Sequence, residues 1–319
     1  MFKSTLSAAV ILVSGLSTGA LAQTDVSVSM TAFDNPFLTI IRTAMEEEAD
    51  LLGDVTLNIE DAQVDVARQL DQVNRFIANG ADAIVVNAVD GNSTLALTKA
   101  AKEAGVPLVY VNHPPFDLDQ LPEGTTFVGS NEIDSGTMQT KEVCDLLGGK
   151  GKVLVIMGPL ESHASLTRTK DIHDVIATPE CSGMEVVEEQ TANWKRGEAQ
   201  DLMTNWLTSG VEFDAVIANN DEMAIGAILA MKSVGMNMND VVVAGIDATR
   251  DGLSALEAGG LDVTVYQNAK RQGEVALEAA KRMANGESVD RAIWVPFEPS
   301  PEEISNNIAK APTISTRND

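Results

Sequence analysis

The chain has 319 residues, of which 44% are hydrophobic and 4% aromatic, and it carries a formal net charge of −25. That charge excludes nucleic acid and anionic membrane surfaces as partners, since both repel a strongly acidic protein. The length corresponds to roughly two domains, and the apolar content is enough for large cores.

Residues 1–22 read as a secretory signal peptide, outside the fold. Lys3 gives a basic start, Ala8 to Leu16 an apolar stretch, and Ala20-Leu21-Ala22 a small-x-small cleavage site. The apolar stretch is too short to span a bilayer, which takes about 20 residues. No cysteine follows the cleavage site, so no lipid anchor is expected, and the product reads as exported and soluble.

From Asp25 the chain alternates strands and helices. Val26 to Met30 reads as a strand, Pro36 to Leu52 as a helix closed by Gly53, and Val55 to Ile59 as a strand. A helix follows from about Val64 to Ala78, then the apolar strand Ala83 to Val86. A helix from about Ser93 to Ala104 leads to the strand Leu108 to Val111. Gly148-Gly149-Lys150-Gly151 reads as a turn, because it follows a helix and not a strand. The grammar then repeats: strand Val153 to Met157, helix Ser165 to Ala177, strand Met184 to Glu189, helix Arg196 to Thr208. Ala215 to Ala218 is a short buried strand that turns polar at Asn219-Asn220-Asp221 and continues as a helix to Val234. Asn220 or Asp221 is its N-cap. Val241 to Ala244 is a strand leading into Gly245-Ile246-Asp247.

All-apolar strands in repeated β-α units imply parallel sheets covered on both faces. Asn79 to Val86 parallels Ser209 to Val216, and Asn112 and Asp247 end the two series. The fold class is therefore α/β, with two doubly wound parallel-sheet lobes and a cleft between them. Short hinge strands are expected near Ser130-Asn131 and Gln267-Asn268.

Cys144 and Cys181 are the only cysteines. Export permits a disulfide, but the reading favours two unpaired buried thiols. His113, His163 and His173 show no metal-ligand spacing with them, so no metal or cofactor is expected. His163 and His173 read as surface or helix residues.

Polar residues gather at strand ends: Asn35, Asn112, His113, Asn220, Asp247 and Gln267. In open α/β sheets such ends border the ligand crevice. Amides offer donors and an acceptor to hydroxyls, and the Asp247 carboxylate accepts hydroxyl hydrogens strongly. The Arg168 fork suits hydroxyl and ring oxygens. Phe37 and Trp194 could stack on the apolar face of a sugar, or pack in the core. No nucleophile motif, phosphate loop or paired carboxylate is evident, so no catalytic residue is assigned.

Four motifs carry a resemblance: Asp34-Asn35-Pro36-Phe37, Asn220 to Ala227, Gly245-Ile246-Asp247-Ala248-Thr249 and Tyr266-Gln267-Asn268. On these the chain resembles the periplasmic sugar-binding proteins of ABC importers, the ribose-binding-protein class of the type I periplasmic binding fold. The likeness runs from about Asp25 to Ala309. Glu189 to Arg196, with Arg168-Thr169-Lys170, is similar to the myo-inositol-binding branch. The resemblance implies a multi-strand hinge joining an N-terminal lobe (23–130 plus 268–297) to a C-terminal lobe (131–267 plus 298–319). It implies ligand contacts from Asn35 and Phe37 on one wall. Arg168, Asn193 or Trp194, Asn220 and Asp247 would line the other, with Gln267 at the hinge. The class usually has Asp-Arg where this chain has Asn112-His113, so a charged clamp is replaced by a largely neutral one. The implied function is capture of a neutral sugar, polyol or cyclitol by a periplasmic monomer that docks on an ABC permease. A sensory receptor feeding a chemoreceptor or histidine kinase would share these features. So would a secreted carbohydrate-active hydrolase. A DNA-binding regulator with the same lobes is excluded by the acidic charge and the export signal.

Overall fold

The computed structural model describes residues 23–297. The predicted signal peptide and the 298–319 part of the predicted C-terminal lobe lie outside these residues.

The first lobe holds β1 (Thr24–Met30), α1 (Pro36–Leu52), β2 (Val55–Asp61), α2 (Val66–Ala78), β3 (Ala83–Val86), α3 (Thr94–Ala104), β4 (Leu108–Val111) and β5 (Thr125–Gly129). The chain then crosses into α4 (Glu132–Leu147), β6 (Lys150–Met157), α5 (His163–Ile176), β7 (Gly183–Thr191), α6 (Arg196–Ser209), β8 (Ala215–Ala218), α7 (Asp221–Ser233), β9 (Val242–Asp247), α8 (Arg250–Glu257) and β10 (Val263–Tyr266). It returns through α9 (Ala269–Ala284) to β11 (Ala292–Trp294), which pairs with β5 of the first sheet.

The strand orders are β11-β5-β4-β3-β1-β2 and β10-β9-β8-β6-β7, with every pair parallel. Without the added β11, each sheet has the same 2-1-3-4-5 order counted within its own lobe. That order reverses beside the first strand, where crevices open at the carboxyl edge.

The central strands β3, β4 and β8 are buried at every residue, as all-apolar runs require. In the first lobe α1 and α9 cover one face, where Ile41, Met45, Val28 and Ala276 share a core cluster. Phe76, Leu97 and Tyr110 fill the other face. In the second lobe α6 and α7 pack closely. A Cβ on Gly226 would lie 2.2 Å from the Arg196 carbonyl oxygen, so no other residue fits this helix contact. Sequence sets the helix ends locally. Asn35 caps α1 with Pro36 in its first turn, and Gly53 closes it in the left-handed conformation.

Two expectations are corrected. Cys144, at the end of α4, and Cys181, before β7, form a disulfide. Packing of α4 against α5 brings together residues separated by 37 positions. The crossings at Ser130-Asn131 and Gln267-Asn268 are not strands. Each is a short irregular link between a strand and a helix, in which Asn131 and Asn268 occupy the N-cap positions of α4 and α9.

Candidate functional site

A cavity of about 530 Å³ lies between the lobes, at the carboxyl edges of both sheets. That volume lies in the range of small-molecule sites. All ten residues predicted to face a ligand line it: Asn35, Phe37, Asn112, His113, Arg168, Asn193, Trp194, Asn220, Asp247 and Gln267.

The first wall is built from the turns after β1 and β4. The Asn35 carbonyl oxygen Oδ1 accepts from the Leu38 amide at 3.1 Å, leaving its NH2 to offer a ligand. Phe37 belongs to the cavity lining and to the core cluster at once, so both readings of that ring hold. Asn112 ends β4 at φ 66°, a left-handed conformation that asparagine tolerates. Next to it, His113 Nδ1 lies 2.7 Å from the Ala88 carbonyl oxygen. A carbonyl can only accept, so Nδ1 carries the hydrogen and Nε2 keeps its lone pair. Burial holds the His113 pKa below its ordinary value, which keeps the ring neutral.

The opposite wall is charged. Arg168, on α5, is 4% exposed and bonds in three directions. Its Nε donates to Glu132 Oε2 at 2.6 Å, Nη1 to the Asn219 carbonyl oxygen at 2.7 Å, and Nη2 to Gln267 Oε1 at 3.2 Å. Asp247 Oδ1 stands farther off, 3.8 Å from Nη1. Burial pushes the Asp247 carboxyl well above its ordinary value; Arg168 opposes the shift, and Asp221 and Glu132 add to it. Asp247 sits at φ 122°, a strained conformation for any residue but glycine.

Asp221 holds the turn that carries this strain. Its carboxylate accepts from Thr264 Oγ1 at 2.7 Å and from the Thr249 amide at 3.1 Å. Thr264 Oγ1 in turn accepts from the Ala248 amide at 3.0 Å. The choice of cap left open by the sequence is thereby decided. Asn220 caps α7 through Oδ1, 3.0 Å from the Met223 amide, and keeps its NH2 for the cavity, while Asp221 fixes the Asp247 turn.

Asn193 and Trp194 form a left-handed pair after β7, with φ 52° and 64°. The Asn193 amide is committed locally, accepting from Thr191 Oγ1 at 3.1 Å and donating to Glu198 at 2.7 Å. Its effect is to build the turn that aims Trp194. The Trp194 ring lies against Gly158, where a Cβ would meet ring carbon Cζ2 at 2.3 Å, and is 5.7 Å from the Arg168 guanidinium. At the rim, beside Ser162 and Ala164 of the lining, Phe116 of the first lobe meets His163 edge-to-face at 5.6 Å.

Glu132 was missed from sequence. It is the first residue of α4, is 3% exposed, and lines the cavity. Its place directly after a lobe crossing was the available signal. Arg196 at the cavity edge, paired with Glu222 through two bonds of 2.9 and 2.8 Å, was also not singled out.

The arrangement offers amide donors, a neutral imidazole acceptor and carboxylate acceptors around a buried guanidinium. Such a set suits hydroxyl groups, which donate and accept at once.

Residues 26–288 match the family described as periplasmic binding protein domain. A Rhizobium meliloti protein named for rhizopine binding is 56% identical over 283 residues, covering 89% of this chain and 91% of that protein. The solved structure of a solute-binding protein from Bacillus halodurans with bound myo-inositol is 42% identical. It aligns with a TM-score of 0.83 over 92% of this chain and 100% of that one. The Caulobacter myo-inositol binding protein, bound to myo-inositol, aligns with a TM-score of 0.82 at 26% identity, covering 90% and 98% of the two chains.

Proposed function

Because the chain belongs to the periplasmic binding protein domain family, we propose that it is an exported receptor for a cyclitol or closely related polyhydroxy compound, which it delivers to an ABC permease. The observation that carries this reading is the Arg168 network: a guanidinium held at the floor of an interlobe cavity by Glu132, Gln267 and the Asn219 carbonyl, beside Asp247. The groups around it are set for hydroxyls. On the facing wall, Asn35, Asn112 and neutral His113 add polar groups, and Asp34 is the acid that the first lobe contributes to the lining.

Within this class, two similarities favour a cyclitol over ribose. The Bacillus halodurans and Caulobacter proteins are bound to myo-inositol, and the Rhizobium meliloti relative is named for rhizopine. Closure brings contacts from the second lobe that the open state lacks, and so shifts the population toward the closed form. That form, as a monomer, is what the permease would engage. Nothing in this cycle requires bond chemistry at the ligand.

A thermal-shift screen of ligand-stripped mature protein tests the reading, using pentoses, hexoses, linear polyols, inositols and rhizopine. A ligand at 100 times its dissociation constant stabilises by about 2.7 kcal/mol. A shift with an inositol or rhizopine that Asp247→Ala abolishes is the expected result. A shift with pentoses alone would return the protein to the ribose class, and no shift with any member would remove the reading.

A further inference from the structure

We propose that Glu132 reads the ligand directly, its carboxylate accepting a hydrogen bond from one ligand hydroxyl at the hinge side of the cavity. The proposal rests on the reading of the cavity as a cyclitol site and narrows which hydroxyl that site demands.

Glu132 stands where the chain has just crossed between lobes, and it lines the cavity. One carboxylate oxygen, Oε2, is taken by Arg168 Nε at 2.6 Å. The other, Oε1, is buried and has no hydrogen-bond partner among the described residues. Buried carboxylate oxygens are rarely left so, because the lost hydration is not replaced.

Gln267 repeats the pattern with the opposite polarity. Its Oε1 accepts from Arg168 Nη2 at 3.2 Å, while its Nε2 is buried without a partner among the described residues. Gln267 also lines the cavity and belongs to the second crossing. Nε and Nη2 form one edge of the planar guanidinium fork. One guanidinium therefore holds a carboxylate and an amide through adjacent nitrogens, the first with a spare acceptor and the second with a spare donor.

A hydroxyl answers both, giving its hydrogen to Glu132 Oε1 and accepting from Gln267 Nε2. A hydrogen atom in its place answers neither. Specificity built this way is strong, since the wrong ligand leaves buried polar groups unpaired. Arg168 then acts as the positioning residue that holds both readers, and Asp247, farther from it, serves a different part of the ligand.

The test is a cycle between protein and ligand. Wild type and Glu132→Ala, both as full mature chains with folding checked by melting curves, are titrated calorimetrically with myo-inositol and each of its monodeoxy analogues. In wild type, one analogue is expected to lose about 100-fold or more in affinity relative to myo-inositol. In Glu132→Ala, the gap between the same analogue and myo-inositol should shrink by about tenfold or more, the remainder being the contact with Gln267. Taking the ratio removes any uniform weakening caused by a displaced Arg168. If Glu132→Ala does not fold, Glu132→Gln carries the same cycle, since facing its carbonyl to Arg168 Nε turns the spare acceptor into a donor. Equal losses in wild type and variant for every analogue would overturn the assignment and leave Glu132 as a support for Arg168 alone. Wild-type protein that binds neither myo-inositol nor any analogue would overturn this assignment, and the cyclitol reading falls with it only where no other inositol and no rhizopine binds.

Discussion

The two lobes share a scaffold and differ in charge. In the first, the Asp82 carboxylate accepts from the Asp25 amide at the start of β1; in the second, Asp214 accepts from Lys152 on β6. After the third strand of each lobe, Asn87 Oδ1 accepts from the Thr31 amide and Asn219 Oδ1 from the Gly158 amide. The backbone carbonyls of these two asparagines show where the lobes part. Asn87 receives the neutral Gln69 amide at 3.0 Å, whereas Asn219 receives the Arg168 guanidinium at 2.7 Å. Likewise Asn112 and Asp247 end equivalent strands, and Val64 and Trp194 occupy equivalent left-handed turns. The repeated positions are those the strand-turn-helix geometry needs. Of the differing ones, Val64, Asn112, Arg168, Trp194 and Asp247 line the cavity, so the fold could be duplicated while its chemistry diverged.

The largest test of that contrast removes the charge. Arg168→Ala leaves Glu132 and Asp247 buried without their guanidinium, and should cost about 3–5 kcal/mol of stability as well as ligand binding. Gln69→Ala, which removes the neutral donor to the Asn87 carbonyl, should cost about 1–3 kcal/mol for its stranded partners. Urea unfolding of both variants measures the gap, and equal losses would mean that charge is not what separates the lobes.

A smaller effect is expected from the paired turns. Trp194→Ala should weaken cyclitol binding about tenfold, through loss of an aromatic face beside a cation. Val64→Ala, at the mirrored position, should change it less than about threefold, a side chain so exposed having little contact to lose. Calorimetric titration compares them, and matching losses would show that the ring contributes nothing beyond its bulk.

The smallest effect concerns pH and belongs to the first-lobe wall. The folded-state pKa of His113 lies below the unfolded value of about 6.5. Its contribution is therefore complete above pH 6.5 and is lost as pH falls from there toward the folded value. The slope cannot exceed about 1.4 kcal/mol per pH unit, the linkage of one proton. His113→Gln should make the fall in melting temperature between pH 7 and pH 5 shallower. An unchanged slope would place the acid sensitivity elsewhere.

Much of this was legible in the residues. The bounds of β3, β4 and β8 follow from their apolar runs, and α1 is bracketed by Pro36 and Gly53. Strand-end polar residues line the cavity because the parallel order puts every carboxyl edge there. Where the reading fell short, the missing information was tertiary. The partner of Arg168 lies on α4, a helix that no strand-end pattern announces, and the Cys144–Cys181 bond depends on how α4 packs on α5. The predicted start of α2 at Val64 fails because Gln63 and Val64 are left-handed and Asp65 caps the helix instead.

The meeting of Phe116 with His163 ties the two lobes together at the rim. That contact must break for the lobes to separate, so the rim adds a step of its own to opening. Because neither ring belongs to the cavity lining, opening and ligand choice rest on different side chains. A change at the rim would alter how fast cargo is surrendered while leaving untouched which cargo is chosen.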